Sequence, residues 1–221
     1  MTHSAARAVT RDNLAADADA RLTEADALAA LIGSRICHDL VNPVGAIANG
    51  VELLGMGGGA EPDGPELRLI ADSVAQTAAR LRFFRIAYGV ASPLQLLGST
   101  DTELILTDAY AGGRVRVAWH IDRDCARAET KLAFLLIQCA EAALPRGGEI
   151  EVGLDEAHWW IEARGPRIAA DPALWALLAG GPVPGTLTPG EVQFALAPRV
   201  AAALGRRIET TGGAEVMRLR F

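Results

Sequence analysis

Two apolar stripes of helical period, separated by a glycine-rich break, constrain this chain more than any other feature. The first stripe runs Ile32, Ile36, Leu40, Pro43, Ile47, Val51 and Leu54. Its steps of three and four residues trace one face of an α-helix and do not fit a strand. Thr23, with Asp26 three positions on, makes a capping-box-like start, so the spacing predicts a helix over 23–56. Gly55, Gly57, Gly58 and Gly59 stop it, and the stretch to Gly64 reads as a turn. Pro65 suits the first turn of a second helix. There Leu67, Ile70, Val74, Thr77, Leu81, Phe84 and Tyr88 fall on a heptad seam. The two helices form an antiparallel hairpin. A lone hairpin has too little core to be stable, and seams this regular favour a homodimer whose two hairpins make a four-helix bundle.

The pattern changes after Ala91-Ser92-Pro93, which reads as a linker. Residues 101–111 are predicted as a helix and 114–121, RVRVAWHI, alternate as a strand. A strongly apolar helix over 129–144 ends at Pro145-Arg146-Gly147-Gly148. Strands over 149–154 and 158–163 form a hairpin, and 171–179 and 192–204 are helical, the latter despite Pro198. A last hairpin pairs 206–211 with 215–221 across Gly212-Gly213. The expected fold is therefore α+β: a hairpin over 23–91 that forms a dimeric four-helix bundle, then an α/β sandwich over 100–221. Residues 1–22 are alanine-rich but broken by Arg7, Arg11, Asp12, Asp17 and Asp19, and are expected to be a frayed or disordered tail.

Several function classes drop out on composition. The net charge of −6 lacks the basic footprint of a nucleic-acid binder and favours protein partners. No apolar run reaches the length of a signal-peptide core or a membrane span, so a cytoplasmic protein with no membrane contact is expected. Lys131 is the only lysine, and no glycine-rich loop precedes it, so there is no P-loop. Cys37, Cys125 and Cys139 have no metal-binding spacing, and buried free thiols are expected.

The segment Ser34-Arg35-Ile36-Cys37-His38-Asp39-Leu40-Val41-Asn42-Pro43 carries the chemistry. One helical turn from His38 lie Ser34, Arg35, Val41 and Asn42, a mostly polar face turned away from the seam. His38 is thus exposed on a helix, one turn before a kinking proline. Taken alone, such a histidine is ordinary solvated surface. His3, His120 and His158 lack comparable surroundings and read as structural or solvated.

The motif His38-Asp39-Leu40-x-Asn42-Pro43 resembles the phosphoacceptor motif of two-component histidine kinases, and the order of hairpin, linker and α/β domain is also that family's. The kinases' nucleotide signatures are missing. Gln138 and Ala142 stand where two asparagines would serve Mg²⁺ and phosphate. Ala163 replaces the adenine-binding aspartate, Arg167 replaces a glycine, and the lid region 191–196 has no glycine pair. The three asparagines are Asn13, Asn42 and Asn49, so no asparagine-based Mg²⁺ site can exist after residue 49. Cys37-His38-Asp39-Leu40, Pro43-Val44-Gly45-Ala46-Ile47 and the turn Leu144-Pro145-Arg146-Gly147-Gly148 together resemble the ChpT-type histidine phosphotransferases of alphaproteobacterial phosphorelays.

That resemblance implies a phosphorelay intermediate with a degenerate ATPase-like domain. His38 would take a phosphoryl group from the receiver domain of a hybrid histidine kinase and pass it to the receiver of a response regulator. The protein would hold no cofactor of its own, Mg²⁺ being supplied by the partner receiver. Asp39 would assist the imidazole, although neighbouring side chains on an ideal helix do not face each other. Asn42 would orient a water or the receiver. Arg35, Arg164 and Arg167 are expected to bind the partner, the last two from a loop beside the emptied nucleotide site. The competing readings are an active sensor kinase, which the lost signatures oppose, a dimeric module that only sequesters response regulators, and a response-regulator phosphatase.

Overall fold

The computed structural model describes residues 3–56, 64–92, 94–156, 158–182 and 186–221, with side chains from residue 24 onward. Helix α1 spans His3–Met56 and α2 spans Pro65–Ala87. The helix thus starts well before Thr23, where the sequence pattern placed a frayed tail. The physical reason is that no glycine or proline occurs between His3 and Ile32, and alanine, the best helix former, dominates there. At the other end the helix continues through Gly55 to Met56, and the glycines at 57–59 lie outside the described residues.

The helices of the hairpin approach closely at Gly50, where an added Cβ would stand 2.5 Å from Ile70 Cγ1. Pro43 is buried between them inside α1. Its missing N–H deprives the Asp39 carbonyl of the usual intrahelical partner, so the helix is loosened at the turn that carries the histidine. The second helix does not bury its seam evenly. Phe84 is 6% exposed, whereas Val74 and Leu81 are 49% and 48% exposed. The sequence stripe therefore splits into a buried end against the rest of the chain and an open remainder.

After the hairpin come β1 (Leu96–Leu97), α3 (Ser99–Tyr110), β2 (Val115–Trp119), β3 (Cys125–Ala126) and α4 (Arg127–Ala142). They are followed by β4 (Gly148–Asp155), β5 (His158–Arg164), α5 (Pro172–Leu178), a 3-10 turn (Pro189–Glu191), α6 (Val192–Ala203), β6 (Glu209–Gly212) and β7 (Val216–Arg220). The five-stranded sheet has the order β2-β4-β5-β7-β6. Only the β2–β4 pair is parallel; β1 and β3 form a separate small ladder. This is the expected α+β fold.

Period-two alternation sends Trp159, Ile161 and Ala163 of β5 to the helical side, all fully buried, and leaves Arg164 exposed. α4 fills the space above the sheet and contacts α6, β4 and β5. Trp159 stacks on Phe221 with centroids 5.5 Å apart.

The hairpin does not stand apart from this core. Phe83 of α2 stacks on Phe134 of α4 at 4.9 Å. The Arg127 guanidinium donates to the Arg85 carbonyl at 2.7 Å, and the Lys131 ammonium donates to the Gly89 carbonyl at 2.8 Å. Cations from the start of α4 thus satisfy carbonyls at the C-terminal end of α2, where the helix dipole is negative. Burial lowers the pKa of Lys131, with Arg127 nearby acting in the same direction. Among the described residues no helix is long and apolar enough to cross a membrane. Cys125 and Cys139 are buried as expected, but Cys37 is exposed, because its position on α1 faces neither α2 nor the second domain.

Candidate functional site

α1 presents His38 to solvent, its side chain 82% exposed, while Asp39 beside it is only 11% exposed. Despite the neighbouring positions, the two meet: His38 Nδ1 lies 3.0 Å from Asp39 Oδ1. A carboxylate can only accept, so in the neutral imidazole this contact favours the tautomer with the proton on Nδ1 and the lone pair on Nε2. Apart from this contact the imidazole is largely open to solvent.

Asp39 is held from three directions. Arg35, one turn earlier, donates from Nε to Oδ2 at 2.9 Å. Arg80 of α2 brings Nη1 to 4.0 Å from the same oxygen. His38 occupies Oδ1. The carboxylate is therefore fixed by cations on one oxygen and offers the other to the histidine. Sequence reasoning did not find Arg80, since it lies on the other helix and no local motif marks it.

A hollow beside the histidine is lined by His38, Asp39, Asn42, Pro43, Asp72 and Arg80, among others. Asn42 thus shares the surface of His38, one turn on, with its side chain exposed. A second hollow lies on the inner side of Asp39, between the hairpin and the second domain, and includes Arg35, Arg80, Tyr110, Arg114, Gln138 and Glu141. Arg164 and Arg167 line neither hollow. Arg164 ends β5 on the outer face of the sheet and pairs with Glu162, which also holds Arg218. Arg167 is exposed in the following loop. The structure brings His38, Asp39, Arg35 and Asn42 together and leaves these two arginines apart from them. Arg35 has its guanidinium committed to Asp39 and, through Nη1, to the Gly190 carbonyl at 3.3 Å.

Of the positions that the resemblance sets against a kinase's nucleotide site, Gln138 and Ala163 are taken up by packing. Gln138 is 4% exposed. Its Oε1 accepts from the Tyr88 hydroxyl at 2.7 Å, and its Nε2 donates to the Phe134 carbonyl at 3.3 Å. Burial pushes the Tyr88 pKa up to about 12. Nearby, Tyr110 donates to Glu141 Oε2 at 3.0 Å, and burial, reinforced by the Glu141 charge, pushes its pKa well above the ordinary phenol value. Ala163 is fully buried in the core, and Ala142 is exposed at the end of α4. Among the described residues no group of three or more histidines, cysteines or carboxylates could hold a metal ion. His120 stacks on Trp160 with Nε2 3.7 Å from Glu151, and His158 is exposed at the start of β5.

A family model for the histidine phosphotransferase C-terminal domain matches residues 99–215. The protein phosphotransferase ChpT of Brucella abortus (strain 2308) is 33% identical over 159 residues, covering 69% of this chain and 75% of that protein. A solved bacterial phosphotransferase superposes with a TM-score of 0.74 at 29% identity, over 87% of this chain and 94% of that one. The Acinetobacter baumannii histidine kinase AdeS superposes with a TM-score of 0.41 at 14% identity, over 83% of this chain and 95% of that one.

Proposed function

Because this chain belongs to the histidine phosphotransferase family and is a phosphotransferase of the ChpT type, we propose that it relays a phosphoryl group between receiver-domain aspartates through His38, without ATP. The observation that carries this reading is the exposed imidazole whose Nδ1 is held at 3.0 Å by a carboxylate. The Nε2 lone pair attacks the phosphorus of a receiver's aspartyl phosphate. The bond between phosphorus and the carboxyl oxygen breaks, and the aspartate leaves as a carboxylate. No proton has to move. Positive charge develops on the ring, and Asp39, accepting from Nδ1–H, offsets it. In the return step a downstream receiver's aspartate attacks the same phosphorus, and the N–P bond breaks.

Placement supports the remaining roles. Asp39 orients the ring and sets its tautomer. Asn42 lines the same hollow and is available to a receiver or a water. Mg²⁺ enters with the receiver's own acidic site, and the chemistry left to this protein is positioning and charge neutralisation. Apolar side chains left in water on both helices, such as Val41, Val51, Val74 and Leu81, support a second copy completing a four-helix bundle. Arg164 and Arg167 are assigned a lesser part, as outer contacts of a bound receiver.

The test is incubation with a phosphorylated receiver and Mg²⁺, followed by mapping of acid-labile phosphate. Wild type is expected to carry it on His38, and His38→Ala to carry none. Label on His38→Ala sinks the assignment, and no label on wild type that still binds the receiver points to sequestration instead. Calorimetry with ATP and Mg²⁺ is expected to show no binding, since Gln138 is spent on Tyr88 and Ala163 has no acceptor for adenine. Micromolar affinity would overturn that part.

A further inference from the structure

The turn that leads into the segment set against a kinase's nucleotide lid makes a connection that the transfer chemistry above leaves unused. Arg35 is shared between two parts of the molecule. Its Nε donates to Asp39 Oδ2, and its Nη1 donates to the carbonyl of Gly190, in the 3-10 turn Pro189–Glu191. That turn is fixed from both sides. Glu191 Oε2 accepts from the backbone N–H and the hydroxyl of Thr188, each at 2.8 Å, within a capping box. Gln193 then sends Nε2 to the same Gly190 carbonyl at 2.7 Å. Gln193 is 1% exposed, and its Oε1 finds no partner among the described residues. Burying an amide with an unpaired oxygen costs folding energy that a leucine would not. The bond this amide does make is to the carbonyl that Arg35 uses.

We infer that the bridge Gln193–Gly190–Arg35 is a positioning device for phosphotransfer, by which the second domain sets the orientation of Asp39. The inference rests on His38 being the phosphoryl acceptor. With Nη1 tied to Gly190, Arg35 reaches the carboxylate through Nε alone and takes only Oδ2. Oδ1 remains for His38 Nδ1. Released from Gly190, the guanidinium is free to turn and grip both carboxylate oxygens in the favoured fork geometry. Oδ1 would leave the histidine, the proton would redistribute between the ring nitrogens, and part of the population would lose its Nε2 lone pair. Gln193 touches neither the ring nor the phosphoryl group, so its role is positioning. On this reading the domain that lost its nucleotide chemistry still serves the transfer step through its old lid segment.

The experiment compares full-length wild type with Gln193→Leu, which keeps the volume and removes the bond to Gly190. Three quantities are read: the imidazole tautomer of His38 by long-range proton–nitrogen spectra, the rate of phosphoryl uptake from a phosphorylated receiver, and receiver affinity. The expected result is a shift from the Nδ1–H tautomer toward a mixture, and uptake slowed about 10-fold at nearly unchanged affinity, as for a small misalignment of a reacting group. A folded Gln193→Leu with the wild-type tautomer overturns the inference even if uptake falls, because the residue would then be merely structural. Should Gln193→Leu not fold, Thr188→Val loosens the same turn from an exposed position, with the same tautomer expected to shift and the same overturning result. The tautomer is read without any phosphate, so a failure of His38 to accept label is distinguishable from a failure of the bridge.

Discussion

The hairpin and the second domain treat burial in opposite ways. In α4 every residue from Leu132 to Ala140 is 4% exposed or less. On α1, by contrast, Val41, Val51 and Met56 are 64%, 56% and 78% exposed. The stability of the molecule is concentrated where no chemistry is proposed, and the proposed phosphoryl acceptor stands where packing is thin. On the proposed reading a whole receiver domain has to reach His38, and an acceptor of that kind cannot lie in a dense core. The hairpin borrows rigidity instead, through Phe83 on Phe134, Arg127 on the Arg85 carbonyl and Arg35 on Gly190. Regions of low local stability that depend on a firm neighbour are where functional surfaces commonly lie.

The comparison can be broken most directly at Phe134. It is fully buried and stacked on the hairpin's Phe83. Phe134→Ala is expected to cost about 3–5 kcal/mol, through lost transfer energy and the cavity left behind. Chemical unfolding followed by tryptophan fluorescence, which reads the second domain, and by helical signal, which is weighted to the hairpin, checks it. If the hairpin borrows its rigidity, both transitions move together. A helical transition that stays at its wild-type midpoint would mean that the hairpin holds itself.

A smaller effect is expected at the open face of α2. Val74 is 49% exposed within one chain, so Val74→Glu should leave the monomer folded. In a dimer it would bury a carboxylate in an apolar seam. Wild type is expected to scatter light as about twice 23.2 kDa. The variant's dissociation constant should rise about 100-fold or more, equivalent to ~2.7 kcal/mol. A wild-type mass of one chain at micromolar concentration would remove the second copy from the argument.

The two regions also differ in how legible they are in the sequence. The hairpin was readable because a helix writes its buried face at intervals of three and four. The stripe Ile32 to Leu54 lies along α1, and Pro65 opens α2. α4 was readable as a continuous apolar run, and β4 with β5 as an alternating pair. Pro198 lies inside α6, costing one internal hydrogen bond that the surrounding packing tolerates. Other features had no local signal. β1 and β3 are two residues each, too short for any period. The histidine's neighbourhood was half legible. His38, Asp39, Asn42 and Arg35 sit within one short segment, whereas Arg80 and Gly190 arrive through tertiary packing. The exposure of Val74 and Leu81 was hidden too, since a heptad seam marks apolar positions and not which partner covers them.

The smallest expected effect lies at the seam between the regions. The Tyr88 hydroxyl, at the end of α2, donates to Gln138 Oε1 of α4. Tyr88→Phe removes it and leaves a buried amide oxygen unpaired, at a cost of about 1 kcal/mol near neutral pH. The alkaline range sharpens this. Burial raises the Tyr88 pKa from the ordinary 10.0 to about 12 in the folded protein. A group whose pKa is raised on folding stabilises fully below its unfolded value and loses that contribution as pH climbs through the folded one. Wild type should therefore lose ~2–3 kcal/mol from Tyr88 as the pH rises from about 10 to about 12. Phenylalanine does not titrate, so the variant escapes this part of the loss. The stability difference between the two proteins should shrink above pH 10 and then reverse. Denaturant midpoints of both proteins at neutral pH and at two alkaline values check it. A gap that stays constant across that range would mean that the hydroxyl is not held in the buried bond to Gln138, and that the cations of α4 on the carbonyls at the end of α2 are what ties the hairpin there.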